Sequence, residues 1–250
     1  MKSLAWLILL FLILSCGRSA LPSFSELEPI LLVQNGDEKF QYWEIEDAPD
    51  LWSSEMGYIY AINAYKDSLR DILGDSVLTA TIRQRKEEQM RSNIDEIPTG
   101  VSNKALIKQG YVGAIRSINY LEAEVLNYQL IRFPLFSHPT EFHGFIAQHD
   151  SMNHIRIYFG ASDQPFPPKP KPIISHLEKA LARGWKLTHH LHNHYEPKLN
   201  NYLGIMAPSL ADVQYYRSLK QRFGLQKALI TNGFTTVVLD SISFGKLNAH

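Results

Sequence analysis

The stretch WKLTHHLHNH, residues 185–194, holds four of the chain's ten histidines within its last six positions. Its apolar and β-branched residues, placed between a predicted helix and a polar loop, are typical of a buried strand. Because side chains alternate along a strand, His190, His192 and His194 are predicted to share one face, with His189 on the other. Two imidazoles at positions i and i+2 can hold one metal ion, and nitrogen ligands suit zinc. The alternative is a group of core or surface histidines that bind no metal.

Strands and helices alternate on both sides of this strand, from about residue 136 onward. The pattern predicts a hairpin, a helix, the histidine strand, a second helix and a closing hairpin with an Asn-Gly turn. These elements cover residues 141–149, 153–161, 173–184, 185–194, 209–224, 227–231 and 234–240. We therefore predict the α/β class, with a mixed sheet sandwiched by helices.

The segment QPFPPKPKP, residues 164–172, carries five prolines. Such a run is extended, and we predict a stiff connector from a strand to the following helix. A proline-rich ligand for a partner domain is the alternative.

Residues 20–135 show no pattern that indicates catalysis or metal binding, and we predict that they form a structural scaffold. Strands are predicted at ILLVQ (30–34) and KFQYWEIE (39–46), and helices over 54–74 and 103–127. The charged segment 82–96 is predicted to be a solvated face. The predicted organisation is a signal peptide over 1–15, a tether and mainly helical N-terminal α/β scaffold region over 16–135, and the histidine-bearing domain over 136–250.

The N-terminus has the pattern of an export signal. After Lys2, the apolar run Leu4–Leu14 is shorter than the roughly 20 residues of a membrane-spanning helix. The residues before Cys16 resemble the lipobox of bacterial lipoproteins, which implies a lipidated Cys16, the only cysteine of the chain, as the mature N-terminus. Two acyl chains would anchor the protein stably to a membrane. Gly17 then implies outer-membrane sorting in a diderm bacterium, so the expected location is the cell envelope, outside the cytoplasm.

Two alternatives remain for this segment: an ordinary signal peptide, or an uncleaved anchor with an incidental Cys16. The overall charge gives no support for nucleic acid as a partner, because 25 basic and 25 acidic residues balance to zero.

The sequence APSLAD places Ser209 and Asp212 at the start of a predicted helix. S-x-x-D is a good capping box, in which the serine accepts from first-turn amides and the dipole favours the carboxylate. The same two residues can also serve a metal site at this helix end. Two histidines and one carboxylate, with a fourth position left to water, form the ligand set of a hydrolytic zinc.

H-x-H followed by S-x-x-D resembles the motif of the JAMM (MPN or JAB) metallopeptidases, and HNH…APSLAD is similar to their RadC-like branch. EFHG, with Glu141 three residues before Gly144, is similar to the family's earlier glutamate, and the resemblance spans about residues 136–240. It implies one zinc ion per chain and a peptidase or isopeptidase acting on a protein or peptide. The implied residues are the zinc ligands His192, His194 and Asp212, the base Glu141 that deprotonates the attacking water, and Ser209, which stabilises the oxyanion.

Some features differ from the family pattern or leave choices open. Tyr195 stands where the family has proline, and the loop 195–208 is longer than the family's connection. His190 and Glu196 are competing ligands, and His143 is either structural or a support for the ligands. The alternative functions are a catalytically inactive MPN-like binding or scaffolding lipoprotein and an envelope structural protein without metal.

Overall fold

The computed structural model describes residues 21–54, 59–80, 102–132, 140–194, 197–198, 201–202 and 207–248. Its strands are β1 (Ile30–Asn35), β2 (Glu38–Glu46), β3 (Ala114–Ser117), β4 (Phe142–His149), β5 (His154–Ala161), β6 (Trp185–Asn193), β7 (Pro197–Lys198), β8 (Asn201–Tyr202), β9 (Lys227–Thr231) and β10 (Thr235–Asp240). The helices whose two ends are described are α1 (Ile59–Leu73), α2 (Asn103–Lys108), α3 (Tyr120–Arg132), α4 (Lys171–Leu181), α5 (Leu210–Phe223) and α6 (Ser243–Lys246), with a 3-10 turn at Pro49–Trp52. The predicted α/β class is confirmed.

One mixed sheet of eight strands organises the chain, in the order β1-β2-β5-β4-β6-β9-β10-β3. Strands β6 and β9 are parallel, and the other neighbouring pairs are antiparallel. The sheet takes β1, β2 and β3 from the part of the chain before residue 136, so both predicted regions contribute to it. The histidine strand β6 lies near its centre.

Apolar side chains cover both faces of this sheet. On one face, Leu191 of β6 belongs to a buried cluster with residues of α1 and α3. On the other face, Leu187 belongs to a cluster with residues of α2, α4, α5 and α6. The sheet is therefore sandwiched between helices, and β6 is buried on both sides.

A β-bulge in β6 decides which side chains reach which face. Ala147 of β4 pairs with Leu187 and Ile146 pairs with His189, so Thr188 is an extra residue opposite the partner strand. Bulges of this kind re-aim the side chains that follow. Leu187 and His190 consequently lie on the same face of the sheet, whereas simple alternation would place them on opposite faces.

The predicted alternation after the bulge is confirmed. The ring of His190 lies 5.6 Å from that of Tyr216 in α5. The ring of His189 stacks instead on Trp52 at 4.5 Å, on the face that carries α1 and α3.

The predicted helix over 103–127 is wrong. Helix α2 ends at Lys108, and Gly110 and Gly113 then adopt positive φ angles of 78° and 67°. After these turns, β3 pairs with β10 as a sheet edge. A Cβ atom at Gly113 would lie 3.0 Å from the backbone oxygen of Val238, and the positive φ is strained for other residues, so this approach to β10 favours glycine.

The other predicted elements lie close to their expected positions. Helix α5 has Ser209 as N-cap and a left-handed Gly224 as C-cap, and Asn232 and Gly233 lie in the turn between β9 and β10. The proline segment connects β5 to α4, whose first turn includes Pro172. The charged segment 82–96 and residues 55–58 of the predicted first helix lie outside the described residues.

His189 generates a testable dependence of stability on pH. Burial, with the nearby positive charges of Lys227 and Arg116, lowers the pKa of His189 to about 3. A histidine in the unfolded chain has a pKa near 6.5. Between about pH 6.5 and pH 3, the unfolded state therefore binds a proton at this residue and the folded state does not. This residue should therefore cost the protein no stability above about pH 6.5 and up to about 1.4 kcal/mol per pH unit as the pH falls towards 3.

His189→Gln should remove this part of the pH dependence. Urea denaturation of both proteins between about pH 4 and pH 7.5 measures it, since the slope of unfolding free energy against pH reports proton uptake. Parallel curves for the two proteins would contradict the assignment.

Candidate metal centre

The antiparallel pairing of β4 with β6 brings two distant segments together at one end of the sheet. His143 is opposite His192, so Glu141, just before β4, and His194, just after β6, lie beside this pair. Ligand atoms of Glu141, His192 and His194 lie within 4.8 Å of one another. His192 is buried, and the other two side chains are half-buried. These three residues form a cluster that could hold a metal ion.

The N-terminus of α5 adds Asp212 to this end of the sheet. Oδ2 of Asp212 lies 3.5 Å from Nε2 of His194, and Oε2 of Glu141 lies 3.4 Å from Nε2 of His192. Both separations exceed the usual 2.7–3.2 Å of a hydrogen bond. Two ligands at about 2.0–2.1 Å from a tetrahedral ion would be separated by about 3.3 Å. Both pairs are therefore spaced as two ligands of one metal ion would be, and the distances alone admit Glu141 as well as Asp212 as a ligand.

The ring of His192 supports the same conclusion. Its Nε2 is too far from Glu141 for a normal hydrogen bond, and its Nδ1 is buried without a partner among the described residues. Nε2 can therefore ligate a metal ion without breaking a normal hydrogen bond among the described residues, and two imidazoles with a carboxylate are a donor set that fits zinc.

Ser209 and Asp212 form the predicted capping box. The Oγ atom of Ser209 accepts from the N–H of Asp212 at 3.2 Å, and the N–H of Ser209 donates to Oδ2 of Asp212 at 2.8 Å. The Ser209 hydroxyl also donates to this Oδ2, at 2.7 Å. The structural role and a role at the metal site are thus compatible, because the box fixes the carboxylate beside His194.

The electrostatics of Asp212 favour its ionised form. Burial acts to raise the pKa of this carboxyl, but the nearby imidazoles of His194 and His192 and the hydrogen bond from Ser209 hold it below its usual value. An ionised carboxylate is what a metal site needs.

His143 and His190 form a separate buried pair beneath the cluster. Nδ1 of His143 lies 3.0 Å from Nε2 of His190. Burial, reinforced by the neighbouring His192, lowers the pKa of His143 to about 3, and burial also lowers the pKa of His190 well below its usual value. Both rings are therefore neutral, and one donates to the other. This bond engages Nε2 of His190, the residue that was expected to compete for the metal.

The remaining predicted competitor, Glu196, and Tyr195 lie outside the described residues, as do parts of the loop that follows. Cys16 and the signal segment also lie outside them. Among the helices that the structure describes, none is both long and apolar enough to span a membrane.

Comparisons with protein-family models, curated proteins and solved structures give no match to this chain. The function must therefore be argued from the cluster itself.

The metal content of purified variants should distinguish the proposed ligands of the cluster from the histidine that lies beside them. Replacing His192 or His194 with alanine should abolish binding of one zinc ion per chain, because each change removes a nitrogen ligand. His190→Ala should retain most of it, because Nε2 of His190 is engaged with His143. Metal analysis of the purified variants, with circular dichroism to verify folding, tests this. Loss of the metal in His190→Ala together with its retention in His194→Ala would contradict the assigned ligands.

Proposed function

We propose that this protein is a zinc-dependent hydrolase of the JAMM type, a peptidase or isopeptidase anchored by a lipid to the bacterial envelope. One observation carries the proposal: Glu141, His192, His194 and Asp212 come from three segments and meet at one end of the sheet. A scaffold held together by apolar packing would not need this convergence of carboxylates and imidazoles.

The chemistry of the donors supports zinc as the metal. Two imidazole nitrogens with carboxylate oxygens and an open position are typical of hydrolytic zinc, which when bound polarises a carbonyl and makes water more acidic. We assign His192, His194 and Asp212 as ligands, because Asp212 is ionised and fixed by Ser209.

Glu141 is the carboxylate that remains for proton transfer. It lies on the His192 side of the cluster, away from the capping box that fixes Asp212, and its side chain is 19% exposed. A carboxylate that reaches both water and the cluster can take a proton from an attacking water and deliver it to a leaving amine. This is the role that its place beside His192 allows.

Ser209 has two functions in this proposal. Its hydroxyl orients Asp212 through the 2.7 Å hydrogen bond, and it is exposed at the end of α5. When a peptide carbonyl is attacked, the hydroxyl can turn its single proton from Asp212 to the oxyanion, because the N–H of Ser209 still holds Oδ2 of Asp212 at 2.8 Å.

Glu141→Gln tests the proposal most directly. The amide cannot accept a proton, so cleavage of a peptide substrate by the wild type should fall by about 10²- to 10⁴-fold. Zinc content and the free energy of unfolding should stay at their wild-type values. Screening a peptide library with the wild-type protein provides the substrate, and metal analysis accompanies the rate measurement.

Three results would contradict this proposal. Hydrolysis at the wild-type rate by Glu141→Gln would show that this residue is not the base. Loss of zinc from the same variant would make Glu141 a ligand. Zinc binding by the wild type without any peptide cleavage would favour a catalytically inactive binding protein.

Ser209→Ala should behave differently from Glu141→Gln. Loss of the N-cap should lower the free energy of unfolding by about 1 kcal/mol. Loss of an oxyanion donor should lower the rate by about 10²- to 10³-fold. Urea denaturation and peptide cleavage measure the two effects, and Ser102→Ala, which removes the N-cap of α2, is the control for capping alone. Equal rates in Ser102→Ala and Ser209→Ala would exclude a chemical role for Ser209.

The anchor is tested separately. Cys16→Ser should release the protein from the membrane fraction or leave the precursor uncleaved, because the acyl chains would have no attachment site. Fractionation and metabolic labelling with a fatty acid provide the readout. Unchanged processing and membrane association would remove the lipid anchor from the proposal.

A further inference from the structure

The side chain of Asn193 bonds to the backbone on both sides of Glu141. Asn193 lies between the two histidines in sequence and is fully buried. Its Oδ1 accepts from the N–H of Phe142 at 2.7 Å, and its Nδ2 donates to the carbonyl of Thr140 at 3.0 Å. One carboxamide therefore fixes both backbone neighbours of the proposed base.

The sheet ladder alone does not provide this restraint. Strand β4 begins at Phe142, and its register against β6 begins at the pair His143–His192. Glu141 thus precedes the paired residues of β4. The Asn193 carboxamide extends the contact between the two segments to residues 140–142 and so includes Glu141 in it.

The buried surroundings make this contact rigid. Thr140 is fully buried, and its hydroxyl accepts a 2.6 Å hydrogen bond from Nε2 of Gln129. Water cannot readily replace bonds between buried groups, and a broken one leaves an unpaired donor or acceptor. Asparagine suits the position because the backbone requires one acceptor and one donor from a single side chain.

We propose that Asn193 is the positioning residue for Glu141, an inference that rests on the function proposed above. Because side chains alternate along β6, Asn193 lies on the opposite sheet face from His192. Its described hydrogen bonds reach none of the three proposed metal ligands. It acts through the backbone, holding the Glu141 carboxylate at its distance from His192. The residue between the two histidine ligands therefore couples the ligands to the base.

Asn193→Ala removes both hydrogen bonds and is the first test. The probe is Co²⁺ added to metal-free protein, and the readouts are its visible absorption spectrum and its dissociation constant. Changes to residues that orient a metal site typically cost about 10- to 100-fold in metal affinity or activity. We expect Asn193→Ala to change the Co²⁺ spectrum in the same direction as Glu141→Gln and to lower kcat for peptide cleavage by about 10- to 100-fold, with little change in KM.

A double-variant comparison separates positioning from general destabilisation. If Asn193 acts through Glu141, adding Asn193→Ala to Glu141→Gln should change either readout by less than about twofold. Asn232→Ala is the matched control, because Asn232 is also a fully buried asparagine, with Oδ1 accepting from the N–H groups of Phe234 and Thr235 at 3.0 Å. Its spectrum and kcat should stay at the wild-type values.

The possible outcomes are distinct. A Co²⁺ spectrum that responds to Glu141→Gln but is the same in Asn193→Ala and Asn232→Ala overturns the positioning role and leaves the proposed function intact. Full additivity of the two substitutions overturns it as well. A wild-type protein that binds no Co²⁺ overturns the proposed function, and the positioning role falls with it.

Asn193→Asp covers the case in which the alanine variant does not fold. Aspartate has nearly the same size and can still accept from Phe142, but it has no donor for the Thr140 carbonyl. It should give a smaller shift of the Co²⁺ spectrum in the same direction as Asn193→Ala. An Asn193→Asp protein with the wild-type spectrum and kcat contradicts the proposal.

Discussion

Strands β4 and β6 run antiparallel near the centre of the sheet, and their register decides what this end of the molecule can do. The pair His143–His192 aligns the first residues of β4 with the last residues of β6. Every ligand candidate from these strands lies within two residues of that pair. A shift of one residue would turn each side chain to the opposite face. The candidate metal centre is therefore a consequence of strand register, and the helices on both faces hold that register by burying the strands.

The bulge at Thr188 allows β6 to place Leu187 and His190 on the same face of the sheet. Its first half buries Leu187 in the apolar cluster beneath α2, α4, α5 and α6, and its second half places His190 on the same face. Strict alternation cannot do this, because residues 187 and 190 differ by an odd number. One unpaired residue shifts the alternation, and the Thr188 hydroxyl donates to the carbonyl of Ile146 at 3.1 Å across the strands.

Burying so many polar groups is tolerated because most are neutral or paired. The pKa of His143 is lowered to about 3, chiefly by burial, so this ring carries no charge in the interior. Elsewhere, the fully buried Glu122 accepts two 2.7 Å hydrogen bonds from Arg116, which joins α3 to β3. A buried carboxylate without such partners would be strongly unfavourable. The carboxylate of Asp212 is likewise stabilised by two hydrogen bonds from Ser209 and by the nearby imidazole of His194.

The sequence alone was sufficient to predict the features that depend only on residues a few positions apart. The capping box at Ser209, the Gly224 end of α5, the Asn-Gly hairpin and the shared face of His190 and His192 all depend on chain geometry over one or two turns. Tertiary contacts decided the rest. Residues 114–117 read as a helix because their apolar spacing fits one, but pairing with β10, more than 100 residues away, makes them a strand. The proximity of Glu141 to His192, the bulge and the Asn193 contact likewise arise between segments about fifty residues apart, where strand pairing and burial, and not local preference, set the geometry.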